Sequence, residues 1–176
     1  DQREDNFMNI QGSTALVTGA NRGIGRHFAS QLLERGATKV YATARHPELV
    51  NLDGVQVLRL DVTDPASVAE AAVAAEDVTL LVNNAGIATG TNLLGDLGNL
   101  RLEMETHYFG TLSVVRAFAP ALAKGGGGAI LNMLSALSWF SFDGVNGYAA
   151  AKAAEWSLTN GIRLELAAQG TQVTGV

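Results

Sequence analysis

A chain of 176 residues, 47% of them hydrophobic, is long enough for one domain with a substantial core. It has no cysteine, which excludes disulfide bonds and a thiol nucleophile, and a net charge of −5 without a basic run argues against a nucleic-acid partner. The start is charged rather than typical of a signal peptide, and no apolar run is long enough to span a membrane. We therefore expect a cytoplasmic protein, with a loose tail or cloning remnant over residues 1–10 and one domain over residues 11–176.

Strand and helix patterns alternate along the whole chain. Short apolar runs predict strands near residues 14–19, 38–43, 55–60, 78–83, 127–133 and 171–176. Helical spacing predicts helices near residues 23–35, 65–76, 97–123 and 146–168. Asp64 is the predicted cap of the second helix, and Pro65 suits its first turn. The alternation predicts an α/β fold, a doubly wound parallel sheet between two layers of helices, with strands in the order 3-2-1-4-5-6.

A glycine-rich loop lies between the first predicted strand and the first predicted helix. It has the spacing Gly-x-x-x-Gly-x-Gly, and strand, glycine turn and helix together form the context of a dinucleotide-binding loop in a Rossmann-type domain. Gly19 permits the tight turn, while Gly23 and Gly25 let the backbone approach a pyrophosphate at the positive end of the helix. The predicted cofactor-binding residues of this loop are Gly19, Asn21, Arg22, Gly23, Ile24 and Gly25.

Three polar residues in the second half of the chain suggest acid–base chemistry. Tyr148 and Lys152 are four residues apart on a predicted helix, so both side chains can point into one site. A free phenol titrates near pH 10, about three units too high, and a neighbouring cation lowers its pKa. Ser135 lies thirteen residues before the tyrosine and can hold the oxygen of an alcohol or carbonyl substrate. The alternative is an exposed helical Tyr/Lys pair without a function.

From Gln11 to the last residue, the chain resembles the short-chain dehydrogenase/reductase family, in its main subgroup with Thr-Gly-x-x-x-Gly-x-Gly. The motifs that carry the resemblance stand in the family's order. They are the glycine loop, Asp61-Val62, Asn83-Asn84-Ala85-Gly86, Ser135, and Tyr148 with Lys152. The resemblance implies an oxidoreductase that transfers a hydride between a nicotinamide and a small-molecule carbonyl or secondary alcohol. It gives the catalytic roles to Ser135, Tyr148 and Lys152.

The resemblance also implies contacts to the rest of the cofactor. Asp61 would accept a hydrogen bond from the adenine amino group, with the Val62 backbone beside it. Asn83, Ala85 and Gly86 would line the ribose on the adenosine side, while Asn84 is expected to be structural. Tyr148 and Lys152 would also contact the cofactor, with the lysine on the nicotinamide ribose.

The preferred cofactor is predicted from the end of the second strand. A site for NAD usually has an acid there, about 20 residues beyond the glycine motif. This chain has none and carries Arg45 at that point, with Arg22 inside the glycine loop. Two guanidinium groups suit a 2′-phosphate, so NADP is predicted rather than NAD. The alternative is that both arginines are simply solvated surface charges.

One position departs from the family's pattern. The family usually has Asn-x-x-Gly in its long fourth helix, where the asparagine holds a water of a proton relay. This chain has His107 there, followed by Gly110. A histidine also hydrogen-bonds water and titrates near neutrality, so His107 is a candidate catalytic residue, and a packed helical histidine is the alternative. His27 and His46 lack partners at ligand spacing, so no metal site is predicted.

The apolar residues around Ser135 indicate what kind of substrate to expect. If these residues line the pocket, we expect a substrate that is apolar at its reacting end. They are Leu134, Leu137, Trp139, Phe140 and Phe142. The alternative places them in the core or in a dimer contact.

Two other function classes stay open. A sugar-nucleotide epimerase or dehydratase usually has a different glycine spacing, and a non-catalytic nucleotide-binding protein would be expected to lack the catalytic residues.

The last residues and the two longest helices lead to two further expectations. The sequence stops within the sixth predicted strand, where family members continue with a segment that covers the substrate, so we expect a truncated domain of uncertain activity. Family members pair the two long helices across a two-fold axis. Such a surface is predicted from apolar residues on both helices: Phe109, Val115 and Phe118 on one, and Ala153, Trp156 and Leu164 on the other. A homodimer or homotetramer is therefore expected, with a monomer as the alternative.

Overall fold

A computed structural model describes residues 8–176, so most of the predicted tail over residues 1–10 lies outside the described residues. The strands are β1 (Thr14–Thr18), β2 (Lys39–Ala44), β3 (Gln56–Arg59), β4 (Leu80–Asn83), β5 (Ala129–Asn132) and β6 (Gln172–Gly175). The helices are α1 (Gly23–Glu34), α2 (Pro65–Ala74), α3 (Leu97–Met104), α4 (Thr111–Lys124) and α5 (Asn146–Glu165). A π-helical segment, Glu105–Gly110, joins α3 to α4.

The six strands form one sheet in the order β3-β2-β1-β4-β5-β6, and every pair in it is parallel. This confirms the predicted doubly wound fold and its strand order. The order reverses between β1 and β4, which is the point where parallel sheets of this kind open a crevice at the carboxyl ends of the strands. Both the glycine loop and the turn after β4 leave the sheet there.

The core lies on both faces of the sheet because strand side chains alternate. Leu16 belongs to the larger cluster, which includes Phe118 of α4 and Ile162 of α5. Its neighbours Ala15 and Val17 belong to the second cluster, with Leu32 of α1. Strands covered on both sides must be almost entirely apolar, which explains the continuous hydrophobic run of β1.

The predicted helix over residues 97–123 is interrupted in the structure. Its middle is the π-helical segment, whose wider turn presses Thr106, His107 and Gly110 into the interior, where all three are buried. The Thr106 hydroxyl donates to the Leu102 carbonyl at 2.8 Å within this turn. A single-turn π-helix leaves the helical hydrophobic pattern nearly unchanged, so the sequence pattern did not predict it.

Two residues of the predicted dimer surface are core residues, which corrects that part of the prediction. Val115 and Phe118 are buried against the sheet of their own subunit. The exposed members of the predicted surface are Phe109 in the π-helical segment and Trp156 and Leu164 on α5. The apolar stripe of α4 was therefore assigned to the wrong side, because periodicity alone does not tell which stripe faces the sheet.

Candidate active site

The glycine loop is shaped by two backbone constraints. Gly19 has a φ of +69°, a conformation that side-chain-bearing residues rarely adopt. A Cβ at Gly25 would overlap the Gly19 carbonyl oxygen and the Asn84 amide. The loop therefore folds tightly against the turn after β4, and α1 begins at Gly23 with its free N–H groups at the end of the sheet. This is a backbone cradle that fits a phosphate group.

A cleft of 790 Å³ runs along this edge of the sheet. Eleven of the predicted cofactor-binding residues line it: Gly19, Asn21, Arg22, Gly23, Ile24, Gly25, Arg45, Asp61, Val62, Ala85 and Gly86. Thr63, Ile87, Thr89, Leu102 and Thr106 extend the lining toward the π-helical segment. The structure thus gathers residues from four separate loops into one elongated cleft large enough for a dinucleotide.

Asn83 is placed differently from its neighbours. Its side chain is buried and donates to the Asn132 Oδ1 at 2.8 Å, and Asn132 in turn donates to the Thr159 hydroxyl at 2.9 Å. This chain of hydrogen bonds links β4 and β5 to α5. Asn84 lines the cleft instead, and its amide donates to the carbonyls of Thr18 and Gly19. Asn84 therefore holds the turn of the glycine loop, in line with its expected structural role.

At one end of the cleft the charges are cationic. Arg22 and Arg45 are both exposed, and within residues 8–176 neither forms an ion pair with a carboxylate. Asp61 lies between the cleft and α2, and its Oδ1 accepts from the backbone N–H and hydroxyl of Thr63 at 3.0 and 2.7 Å. The arginines are free to bind an anionic group, while the carboxylate is oriented by its own turn.

The three predicted catalytic residues lie together next to His107, which contacts Ile87 in the lining of the cleft, although the three themselves do not line it. Ser135 follows β5, and its hydroxyl caps a short 3-10 turn by accepting from the Leu137 N–H at 3.2 Å. Tyr148 and Lys152 lie on α5, with the lysine Nζ 5.8 Å from the centre of the tyrosine ring. Tyr148 is half-buried, and its ring contacts the His107 ring edge-on, with 5.2 Å between the centroids.

The protein's own groups raise the pKa of Tyr148, and Lys152 is not among the causes. The predicted lowering of this pKa by Lys152 together with the positive nicotinamide ring stays a prediction. Burial is the largest cause, because it disfavours the charged phenolate. A hydrogen bond with Ser135 lowers the pKa, and the negative charges of Glu155 and Glu103 raise it again. The positive charge of Lys152 is engaged elsewhere, in contacts that the sequence did not predict.

Lys152 is buried and donates to two oxygens. Its Nζ lies 2.6 Å from the Met133 carbonyl oxygen and 2.6 Å from the Glu155 Oε2. Glu155 is buried as well, and its Oε1 accepts from the Thr111 hydroxyl at 2.9 Å. Glu155 was not predicted from the sequence. It could have been found as a carboxylate three residues after the lysine, on the helix face that the lysine itself occupies.

His107 is buried between Ile87, which lines the cleft, and this ion pair. Its Nε2 lies 2.7 Å from the Ile87 carbonyl oxygen and 3.3 Å from the Ile87 backbone nitrogen, so the tautomer of the ring decides whether Nε2 donates to the carbonyl or accepts from the N–H. Its Nδ1 has no hydrogen-bond partner and points toward the Glu155 Oε2 at 3.7 Å. A Cβ at Gly86 would come within 2.6 Å of the imidazole Cε1, so the glycine makes room for the ring.

A second buried carboxylate, Glu103 of α3, completes the surroundings of Tyr148. Its Oε1 accepts from the Thr89 N–H and hydroxyl, both at 2.8 Å, while its Oε2 has no hydrogen-bond partner. A Cβ at Gly147 would overlap that Oε2. Glu103 therefore packs directly under the first turn of α5. It too was missed, because its helix has no clear apolar periodicity that would place it inside.

The aromatic residues after Ser135 are exposed rather than buried. Trp139, Phe140 and Phe142 all present large apolar surfaces to solvent, and Leu134 alone of this group is buried. The Trp139 ring also contacts that of Trp156 on α5, with 6.3 Å between the centroids. The alternative that these three aromatics belong to the core is wrong, and they form an apolar rim beside the catalytic residues.

The described part of the chain contains neither a cluster of metal ligands nor a helix that could span a membrane. Across residues 8–176, no three His, Asp or Glu side chains converge in a way that could hold a metal ion. His46 lies near Glu48, with 3.4 Å between Nδ1 and Oε1, at the exposed end of the cleft. None of the helices in this range has both the length and the apolar character needed to cross a membrane.

These features define a Rossmann-type nucleotide-binding protein that can perform acid–base chemistry. The glycine cradle and the elongated cleft lie at the carboxyl edge of a parallel sheet, and a Tyr/Lys/Ser group lies beside them. The family model described as short chain dehydrogenase matches residues 13–176. The chain therefore belongs to the short-chain dehydrogenase family of oxidoreductases, which confirms the resemblance found in the sequence.

Individual relatives agree with this assignment. The chain is 36% identical to the 3-oxoacyl-[acyl-carrier-protein] reductase FabG of Vibrio cholerae, over 96% of this chain and 73% of that protein. It is 34% identical to an NADPH-dependent 1-acyldihydroxyacetone phosphate reductase of Schizosaccharomyces pombe, over 92% and 57%. A short-chain dehydrogenase from Burkholderia cenocepacia, solved with NADP, is 44% identical with a TM-score of 0.92, over 96% and 72% of the two chains.

Proposed function

We propose that the protein is an NADP(H)-dependent oxidoreductase that interconverts a carbonyl compound and the corresponding secondary alcohol. The observation that carries the proposal is the convergence of Ser135, Tyr148 and Lys152 next to His107, which contacts Ile87 in the lining of the glycine-lined cleft. Neither the epimerase nor the non-catalytic alternative accounts as well for the glycine spacing together with an assembled catalytic group.

The roles of the residues follow from their chemistry. When bound, the nicotinamide cofactor supplies or accepts the hydride. Tyr148 is the proton donor to the substrate oxygen, and Ser135 hydrogen-bonds that oxygen and orients it. Because burial raises the pKa of Tyr148, its phenol stays protonated at neutral pH, which suits a general acid and therefore the direction of carbonyl reduction. Lys152 would donate a hydrogen bond to the nicotinamide ribose.

The cofactor preference rests on the cationic end of the cleft. Arg22 and Arg45 are exposed and unpaired within the described residues, and strand β2 ends without an acid that would favour NAD. A guanidinium binds a phosphate through two hydrogen bonds and a full charge. Two relatives support the same cofactor: the Burkholderia cenocepacia structure solved with NADP and the NADPH-dependent reductase of Schizosaccharomyces pombe.

The substrate class is proposed from the apolar rim. Trp139, Phe140 and Phe142 offer apolar surface next to Ser135, so a ketone or aldehyde with an apolar body fits better than a polyol. The 3-oxoacyl reductases among the relatives act on chains of this character, which makes a 3-oxoacyl thioester a sensible member of a test panel.

The test is an NADPH-oxidation assay of the purified full-length protein with apolar ketones, aldehydes, a 3-oxoacyl thioester and a sugar nucleotide. We expect turnover with at least one apolar carbonyl. Tyr148→Phe should reduce kcat by about 1,000-fold, since the proton donor is lost, while NADPH binding stays nearly intact. Tyr108→Phe is the matched control and should keep full activity. Full activity in Tyr148→Phe, or turnover of the sugar nucleotide alone, would contradict the proposal.

A further inference from the structure

The buried acid Glu155 is the strongest feature that the proposed reaction does not yet use. It lies three residues after Lys152 on α5, and the two side chains are 2% and 5% exposed. Burying a carboxylate costs free energy unless its charge is compensated and its lone pairs are hydrogen-bonded. Both conditions are met here, because one oxygen accepts from Lys152 and the other from Thr111.

The ion pair decides where the positive charge of Lys152 acts. The Nζ is 2.6 Å from the carboxylate of Glu155 and 5.8 Å from the centre of the Tyr148 ring. Its second hydrogen bond, to the Met133 carbonyl, fixes the ammonium at the end of β5. A cation held this way is largely neutralised toward its other neighbours, so the phenol feels little of it.

His107 is the second ionisable group that faces this carboxylate. Its Nε2 contacts the Ile87 backbone, and its Nδ1 faces the Glu155 Oε2 at 3.7 Å. That nitrogen is buried and has no hydrogen-bond partner. The titratable groups packed around Tyr148 are therefore Lys152 and Glu155 from α5, His107 from the π-helical segment and Glu103 from α3.

We propose that Glu155 is a positioning residue, which holds the ammonium of Lys152 and thereby controls how much positive charge reaches Tyr148, with His107 as the second ionisable group that faces the same carboxylate. This inference rests on the proposed function, since it matters only if Tyr148 exchanges a proton with substrate. The sequence alone indicated the proton donor Tyr148 and the cation Lys152, and the proposal adds the buried acid Glu155 that controls them.

The direct test measures the ionisation of Tyr148 without any turnover. The chain has three tyrosines, so the difference between the protein and its Tyr148→Phe variant in a phenolate absorbance titration isolates this one. Glu155→Gln keeps the shape of the side chain and removes its charge. We expect it to lower the pKa of Tyr148, because a repelling charge disappears and the lysine charge is released. An unchanged titration would overturn the proposal.

Two further variants make this titration specific. Glu165→Gln changes an exposed glutamate on the same helix and should leave the Tyr148 titration where it is. Glu155→Asp keeps the charge, so it should restore the titration toward that of the unaltered protein. A shift of equal size in Glu165→Gln, or a titration of Glu155→Asp that matches Glu155→Gln, would count against a role for the Glu155 charge.

Kinetics then connects the residue to the reaction. In Glu155→Gln, the limb of the kcat/KM profile that reports Tyr148 should move to lower pH, and Glu155→Leu should lose about 10-fold or more in kcat as the lysine loses its acceptor. If Tyr148→Phe is inactive but Glu155→Gln has an unaltered profile, the inference fails and the proposed function stands. If Tyr148→Phe keeps its activity, the proposed function itself fails.

A double variant covers the case in which Glu155→Gln does not fold. Lys152→Met leaves the Glu155 charge uncompensated, and Lys152→Met combined with Glu155→Gln removes both charges together. Circular dichroism establishes that each is folded. The pKa of Tyr148 should be lower in the double variant than in Lys152→Met alone, since only the former lacks the repelling carboxylate. Equal values would overturn the proposal.

Discussion

Arg22 and Arg45 reach the cationic end of the cleft from two different loops. One follows β1 and the other follows β2, and the parallel pairing of these strands brings their carboxyl ends together. Each guanidinium is free of carboxylate partners among the described residues, so neither has to give up an existing ion pair to bind a phosphate. This pair is the basis of the proposed NADP preference.

Arg45→Asp should weaken NADPH binding by about 100-fold, because attraction at the 2′-phosphate becomes repulsion. Binding of NADH, which lacks that phosphate, should change by about threefold or less. Calorimetric titration of both cofactors measures the two effects. Arg35→Asp, an exposed arginine at the far end of α1, is the control and should affect neither cofactor. Equal losses for NADPH and NADH would show that Arg45 does not recognise the phosphate.

At the scale of elements, the start of α2 shows how a local sequence rule was confirmed. The Asp64 side chain accepts from the Ala66 N–H at 3.0 Å, and Pro65 is the first helical residue. Asp64 also lies 3.6 Å from an Arg59 nitrogen, but both side chains are largely exposed, so this ion pair contributes little. The hydrogen bond to the helix end is the stabilising contact.

Asp64→Ala should reduce the free energy of unfolding by about 1 kcal/mol, because an N–H at the start of α2 loses its acceptor. Urea denaturation monitored by circular dichroism measures the change. Asp64→Asn keeps the cap and removes the charge, so it should be nearly neutral. If Asp64→Asn costs as much as Asp64→Ala, the ion pair with Arg59 rather than the cap is responsible.

The π-helical segment is the element whose effect on the site is largest. It turns His107 inward, so that one ring nitrogen reaches Ile87 in the cleft and the other faces Glu155. The predicted role of His107 in a proton relay stays a prediction. In the structure, His107 contacts the ring of Tyr148, faces the Glu155 carboxylate and lies next to the Ile87 carbonyl.

For the whole molecule, the open question is assembly. Once Val115 and Phe118 are assigned to the core, the exposed apolar residues of the helical face are Phe109, Trp156 and Leu164. Apolar groups on neighbouring helices of one face are typical of an isologous contact between identical subunits. A homodimer through α4 and α5 therefore stays our proposal, and a tetramer would need a second surface. The cytoplasmic location likewise stays a prediction, which cell fractionation tests.

Leu164→Glu tests the dimer directly. Leu164 is 79% exposed within the subunit, so a glutamate there should leave the fold intact while it places buried charge in the proposed interface. Light scattering at micromolar concentration should give twice the subunit mass for the unaltered protein and the subunit mass for Leu164→Glu. Leu94→Glu, at a fully exposed loop position, should behave like the unaltered protein. A subunit mass for the unaltered protein at every concentration would contradict the dimer.

Local patterns in the sequence were sufficient for the sheet order, the glycine loop, the cap at Asp64 and the Tyr148/Lys152 pair. Each depends on residues close together in the chain: a strand followed by a turn, a polar residue before a helix, or side chains four apart. Apart from the interruption of the predicted helix over residues 97–123, only the ends of the predicted elements differ, by one or two residues in most cases. The arginine pair could also be found from the sequence, because Arg45 directly follows β2 and Arg22 lies in the glycine loop after β1.

The tertiary structure alone decided which side chains lose contact with water, and the chemistry of the site follows from that. Glu155, Glu103 and His107 come from different helices, and their burial around Tyr148 depends on how α3, α5 and the π-helical segment pack. Among the protein's own groups, burial and the charges of Glu155 and Glu103 raise the pKa of Tyr148, and the spacing of Tyr148 and Lys152 on one helix did not reveal these causes. Strand order is a matter of local pattern, whereas electrostatics depends on the distance between groups and on the solvent excluded from between them.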